Sequence, residues 1–209
     1  MTTTYGADWY SEVMVEDGSP AMLPLERSPW LTTYERVAAM LDPNEEVVDL
    51  GCGTGRFIEL LYLNGHYAQV TGVDWSVTAL AEAQSYATSM VEKAPPPNWE
   101  LCDLTEWLPD GLRAGNTVFT CMEVLEHMED DLALVRHVPP GHRFLITVPN
   151  FHSESHVRIF TSPGAVWERY AHLLMFRSWS MVGSERQGIH VCETIRRSDS
   201  WWLPPGLRR

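Results

Sequence analysis

Two short segments carry residue types at spacings suited to chemistry. The first is Asp49-Leu50-Gly51-Cys52-Gly53-Thr54-Gly55, an acidic residue followed by glycines at alternate positions. Such a turn lets a ligand approach the main chain, because no side chain stands in the way and amides point at the ligand. Dinucleotide loops use a GxGxxG spacing. Here the third glycine comes one residue early and Arg56 takes the dinucleotide position, which argues against a nicotinamide-dependent oxidoreductase. Asp49, just ahead of the glycines, suits a cationic ligand better than a pyrophosphate.

The second segment is Glu123-Val124-Leu125-Glu126-His127. On a helix its chemical residues fall at i, i+3 and i+4 and share a face. Two carboxylates and an imidazole suit a hard or borderline divalent ion such as Mg2+ or Mn2+. His156 or His152, in the stretch after a later strand, would supply a fourth ligand. Without an ion, His127 or His156 would act as general base, since an ordinary imidazole titrates near neutrality.

The elements that must position these residues alternate. Ser28-Pro29 reads as an N-cap with proline opening a helix over 30–41. Val47 to Leu50 is a strand entering the glycines, and Arg56 to Leu63 a helix leaving them. Gln69 to Val73 is a second strand, ending at Asp74. Thr78 to Val91 is helical until the prolines at 95–97, and Glu100 to Leu104 forms a third strand. Thr117 to Met122 is a fourth strand, with a helix expected over Glu126 to His137. Arg143 to Val148 is a fifth, stopped by Pro149-Asn150. After a helix over Pro163 to Leu173, runs at about 174–182 and 188–196 form a hairpin.

This pattern predicts an α/β fold: a Rossmann-like, seven-stranded, mostly parallel sheet with an antiparallel C-terminal hairpin and helices on both faces. Residues 1–29 read as an N-terminal extension, 30–197 as the domain and 198–209 as a tail.

With these motifs in order, the chain resembles the class I S-adenosylmethionine-dependent methyltransferases. Val47 to Gly55 matches their first motif. The resemblance implies that Asp49, Gly51, Cys52, Gly53 and Gly55 receive S-adenosylmethionine. It also implies that Asp74 accepts the ribose hydroxyls, that Trp75 packs on adenine, and that Asp103 and the Leu104 amide meet the adenine edge. The Cys121-Met122-Glu123 backbone would line the sulfonium end, with Met122 in contact. S-adenosylhomocysteine would be the product.

The Glu-Xaa-Xaa-Glu-His segment is similar to that of ubiquinone-pathway O-methyltransferases. Small-RNA 2′-O-methyltransferases carry it too, with a histidine after Pro-Asn that His156 would match. That likeness implies Glu123, Glu126, His127 and His156 as ligands of Mg2+ or Mn2+, with His127 and His156 as the catalytic pair.

Composition narrows the acceptor. With 28 acidic and 15 basic residues the net charge is −13, which repels phosphate backbones. Arg196, Arg197, Arg208 and Arg209 cluster near the C-terminus but form no stripe interleaved with aromatics. The expected reaction is therefore methylation of a hydroxyl oxygen on a small molecule, with nucleic acid disfavoured. An RNA 2′-O-methyltransferase and a non-catalytic binding protein on the same fold are the alternatives.

Trp9, Tyr10, Trp30, Phe151, Trp167 and Tyr170 are candidate walls of an acceptor pocket, and Trp201-Trp202 a candidate interface. The four cysteines are scattered and read as reduced. No apolar run is long enough to span a bilayer, and no secretory leader is visible, so a cytoplasmic location is expected.

Overall fold

The computed structural model describes residues 19–65, 68–87, 95–109 and 116–198. Trp9, Tyr10, the end of the helix expected to reach Val91, Trp201-Trp202, Arg208 and Arg209 lie outside them. Seven strands form a sheet in the order β3-β2-β1-β4-β5-β7-β6. The described residues up to Glu106 make one compact unit and those from Trp107 a second.

In the first unit, β1 (Glu46–Leu50) pairs in parallel with β2 (Val70–Asp74), which pairs in parallel with β3 (Asn98–Leu101). β1 and β2 are buried apolar runs, as strands covered on both faces must be; β3, at the sheet edge, is exposed. Three helices accompany them: α1 (Leu31–Ala38), α2 (Arg56–Leu63) and α3 (Val77–Ala87). Helix α2 buries Phe57, Ile58, Leu60 and Leu61 and stops at Asn64-Gly65, where Gly65 turns left-handed (φ 78°).

Two boundaries move in this unit, and in the second unit the helix expected over Pro163 to Leu173 stops at Tyr170. Ser28 does not cap the helix. Its Oγ accepts from the Trp30 amide (3.3 Å) and its carbonyl from Leu31, a local turn that delays α1 to Leu31. The third strand ends at Leu101, not Leu104. The last main-chain bond runs from Cys102 N to Asp74 O (3.0 Å), after which Asp103 builds its own turn.

In the second unit, β4 (Thr117–Met122) and β5 (Arg143–Pro149) run parallel, and both are almost wholly buried. The hairpin of β6 (Leu174–Gly183) and β7 (Gly188–Arg196) follows the expected limits, with β7 antiparallel to both neighbours. Asn150 locks it: Nδ2 donates to the Ser184 and Glu185 carbonyls and Oδ1 accepts from Gly188 N (2.7 Å). β6 is the other edge strand, and its exposed residues include the polar Arg177 and Ser178 beside Met175 and Trp179. Helix α4 (Asp131–His137) is capped by Asp130, and α5 (Pro163–Tyr170) by Ser162 with Pro163 first.

The expected fold class is therefore observed. The four cysteines are free, three of them buried. Among the described residues no helix is long and apolar enough to cross a membrane.

Candidate functional site

The glycine loop of the first unit is built by three left-handed glycines: Gly51 (φ 77°), Gly53 (φ 52°) and Gly55 (φ 75°). Gly51 and Cys52 both donate to the Val73 carbonyl (2.8 and 3.1 Å), tying the loop to the end of β2. Gly53 N then donates to Asp74 Oδ2 (2.8 Å), while Asp74 Oδ1 accepts from Ser76 N (2.9 Å). Thr54 Oγ1 donates to the Ala21 carbonyl (2.7 Å), pinning an N-terminal turn against the loop.

A carboxylate has about four lone-pair sites, so Asp74 can accept further donors beside the Gly53, Ser76 and Trp75 amides. Burial raises the Asp74 carboxyl above its ordinary range, against the amides that favour its charge. A Cβ on Gly53 would meet nothing within 4 Å, so the loop's crest is open to a ligand.

The loop's other side is closed. A Cβ on Gly72 would lie 2.7 Å from the Trp99 ring and 2.8 Å from Cys52 Sγ. Gly72→Ala is expected to destabilise the protein by about 1–3 kcal/mol, as overpacked cores do. Urea unfolding checks this, as a lowered midpoint with an unchanged slope.

Asp49 is buried at the end of β1, Trp75 is half-buried and Leu104 is buried. Asp103 stands exposed two residues past β3, its Oδ1 accepting from Thr105 N (2.8 Å) and Oγ1 (2.7 Å). The strand expected to run through it to Leu104 has already ended at Leu101.

In the second unit, Met122 is buried at the end of β4, and the Glu-Xaa-Xaa-Glu-His segment is not helical. Glu123 has φ 55°, the one left-handed non-glycine among the described residues, and that turn ends β4 without starting a helix. Thr147 of β5 holds it there. The Glu123 amide donates to the Thr147 carbonyl and Oγ1, and Thr147 Oγ1 donates to Glu123 Oε1 (2.8 Å). The shared helical face is thus replaced by a turn, and α4 begins only at Asp131.

The turn still brings three of the four expected ligands together. Ligand atoms of Glu126, His127 and His156 lie within 4.8 Å of one another, and Glu123 is outside this group. His127 Nδ1 contacts the Ser155 carbonyl (3.0 Å) and His156 Nδ1 the Phe151 carbonyl (3.1 Å). A carbonyl only accepts, so each Nδ1 carries the proton and each Nε2 keeps a lone pair. The two rings meet edge to face at 4.9 Å. His127 Nε2 stands 3.7 Å from Glu126 Oε1.

Glu126 is completely buried, and neither of its carboxylate oxygens has a hydrogen-bond partner. Burial, then the Glu123 charge, drives its carboxyl well up, while the Glu123 carboxyl is pushed up to about 7 by burial. Burial also holds His127 down at about 4 and lowers His156.

His152 is exposed and outside the cluster. Of the aromatic candidates, Phe151 stacks beside His156 (5.9 Å) and Trp30 is half-buried, but Trp167 is exposed. Tyr170 is core and donates to Asp131 (2.6 Å). Sequence reasoning missed Thr147 and Arg158. The signal for Arg158 was a lone cation two residues past His156 in an otherwise apolar run.

A family model described as "Methyltransferase domain" matches residues 25–203. The ubiquinone biosynthesis O-methyltransferase of Chromobacterium violaceum is 36% identical over 92 residues, 44% of this chain and 37% of that protein. The trans-aconitate 2-methyltransferase of Azoarcus sp. is 32% identical over 129 residues, 59% of this chain and 47% of that protein. The chain thus spans under half the length of these relatives. The magnesium protoporphyrin IX methyltransferase of Synechocystis PCC 6803, solved with bound SAM, shares the fold. Its TM-score is 0.67 at 19% identity, covering 91% of this chain and 94% of that one. On the family match, this chain belongs to the methyltransferase-domain family.

Proposed function

We propose that the protein transfers a methyl group from S-adenosylmethionine to a hydroxyl oxygen of a small molecule, assisted by a divalent cation held by Glu126, His127 and His156. The observation that carries this reading is the pairing of Glu126 with His127. A buried carboxylate oxygen and an imidazole lone pair face each other at 3.7 Å, an arrangement that repels unless a cation or a proton lies between them.

The two Nδ1–H···carbonyl bonds fix ring orientation and tautomer in the manner common to metal-ligating histidines. A divalent ion bound there would orient an acceptor hydroxyl and lower its pKa. Two imidazoles to one carboxylate favour Mn2+ over Mg2+. A His127 held at about 4 is neutral at pH 7 but weakly basic, which suits a ligand better than a general base.

For the cofactor, the open crest at Gly53 and the spare lone pairs of Asp74 fit a nucleoside with two vicinal hydroxyls. The buried carboxylate of Asp49 complements a cation. Transfer forms an oxygen–carbon bond and breaks a carbon–sulfur bond, sulfur keeping the electron pair, and the acceptor's hydroxyl proton leaves to solvent once the ion has lowered its pKa. The relatives named for ubiquinone biosynthesis and trans-aconitate also point to small acceptors.

The test is transfer of labelled methyl from S-adenosylmethionine to a panel of hydroxylated small molecules. Turnover abolished by EDTA and restored by Mn2+ better than by Mg2+ is the expected result. Turnover indifferent to EDTA would remove the metal from the mechanism. S-adenosylhomocysteine binding without turnover on any acceptor would favour a binding protein on this fold.

A further inference from the structure

The three ligand-bearing residues sit on two irregular stretches, 123–130 and 150–160, that regular secondary structure does not hold. A set of convergent ligands needs its supports locked, and here one side chain makes half of the ties between the two stretches. Arg158, only 17% exposed, donates from Nη1 to the Leu125 carbonyl (2.6 Å) and the Met128 carbonyl, and from Nη2 to the Glu129 carbonyl (3.0 Å). Those carbonyls bracket Glu126 and His127 on both sides.

The main chain beside it adds a further tie, with Val157 N donating to the Glu126 carbonyl (2.8 Å). Asp131, completely buried at the start of α4, lies 3.4 Å from Arg158 Nη1. Asp131 is itself held by Arg169 (2.5 and 3.2 Å) and the Tyr170 hydroxyl (2.6 Å). At the other end, His190 Nε2 donates to the Phe160 carbonyl (2.7 Å) while its Nδ1 accepts from Trp179, anchoring the stretch to β7.

We propose that Arg158 is a positioning residue that clamps the Glu126–His127 turn against the His156 stretch and so sets the geometry of the three-ligand cluster. The inference rests on the reading of that cluster as a ligand set. A planar guanidinium with five donors reaches several carbonyls at once, and a lysine ammonium does not reproduce that fork. Arg158 touches neither cofactor nor acceptor in this scheme and acts only through the turn.

The experiment compares wild type, Arg158→Lys and Arg158→Ala by Mn2+ titration followed by electron paramagnetic resonance. It also records imidazole 15N spectra at one pH to read the His127 tautomer. S-adenosylhomocysteine affinity serves as the control for folding. The expected result is an Mn2+ affinity in the order wild type, Lys, Ala. The Ala variant should lose about 10–100-fold, as second-layer supports of metal sites do, with the S-adenosylhomocysteine affinity unchanged. The His127 Nδ1–H signal should weaken in the same order.

Folded variants with wild-type Mn2+ affinity and an unmoved His127 signal would overturn the clamp, even if their melting temperature drops. If the Ala variant does not fold, Arg158→Lys alone decides by the same two readings. If wild type itself binds no Mn2+, the ligand-set reading falls. The His127 signal then decides the clamp separately, upheld if it weakens in the variants and overturned if it does not.

Discussion

Replacing Asp74 by alanine is expected to raise the dissociation constant for S-adenosylhomocysteine about 100-fold. Two charge-assisted hydrogen bonds to the ribose at about 1.5 kcal/mol each sum to about 3 kcal/mol, which is roughly two decades in affinity. The same carboxylate also ties Gly53 to the loop, so the substitution removes the ligand contact and part of the loop's anchor together. Asp74→Asn separates the two, because its single carbonyl oxygen still accepts part of the set of amides that the aspartate now takes.

Calorimetric titration of wild type and both variants makes the measurement, with Asn intermediate. Because burial raises the Asp74 carboxyl, wild-type affinity should fall as pH drops through a value above the ordinary aspartate range. The Asn variant should stay flat there. Unchanged affinity in the alanine variant would remove Asp74 from the cofactor site.

Glu126→Gln is expected to act in opposite directions on stability and on metal binding. In the cation-free protein the carboxylate is buried with neither oxygen paired, so its charge opposes folding. The folded carboxyl is raised above its unfolded value. The stability it contributes is therefore fully present below the ordinary glutamate range near 4.5, and is lost as pH rises through the folded value. Glutamine carries no such charge.

At neutral pH without metal the variant should melt higher, by about 2–4 °C for each kcal/mol relieved. The gap should widen as pH rises. With Mn2+ the order reverses, because wild type gains stability from binding and the variant has lost the charged ligand. Thermal melts with EDTA and with Mn2+ at two pH values check both parts. A variant that melts well below wild type in EDTA would mean that the carboxylate has a stabilising partner in the fold.

The legibility of this molecule in its sequence divides along physical lines. Helix α2 and strand β4 were read with their observed limits, as was the turn between the last two strands. In each, a continuous apolar pattern meets a strong breaker: Gly55 and Gly65 around α2, and Gly183 and Gly188 at the hairpin. The first helix starts one residue late and ends three early, and the third strand is displaced by two or three residues. There, short polar side chains (Ser28 and Asp103) make local bonds that compete with regular structure, and apolar periodicity does not register such bonds.

The glycine loop with Asp74 belongs to what the sequence determined by itself. Left-handed backbone at alternate positions requires glycine, and a strand that ends in aspartate delivers its carboxylate to that loop by local chain geometry. The convergence of Glu126, His127 and His156 was decided by the tertiary structure. Sequence spacing suggested a helical face, but Glu123 turns left-handed under the hold of Thr147, and the helix waits until Asp131.

What draws the ligands together is a set of bonds across some thirty residues of chain: His127 to the Ser155 carbonyl, Val157 to the Glu126 carbonyl, and the Arg158 fork. Backbone carbonyls look alike in any sequence. Which of them a histidine or an arginine reaches is settled only when β4, β5 and the stretches leaving them are packed.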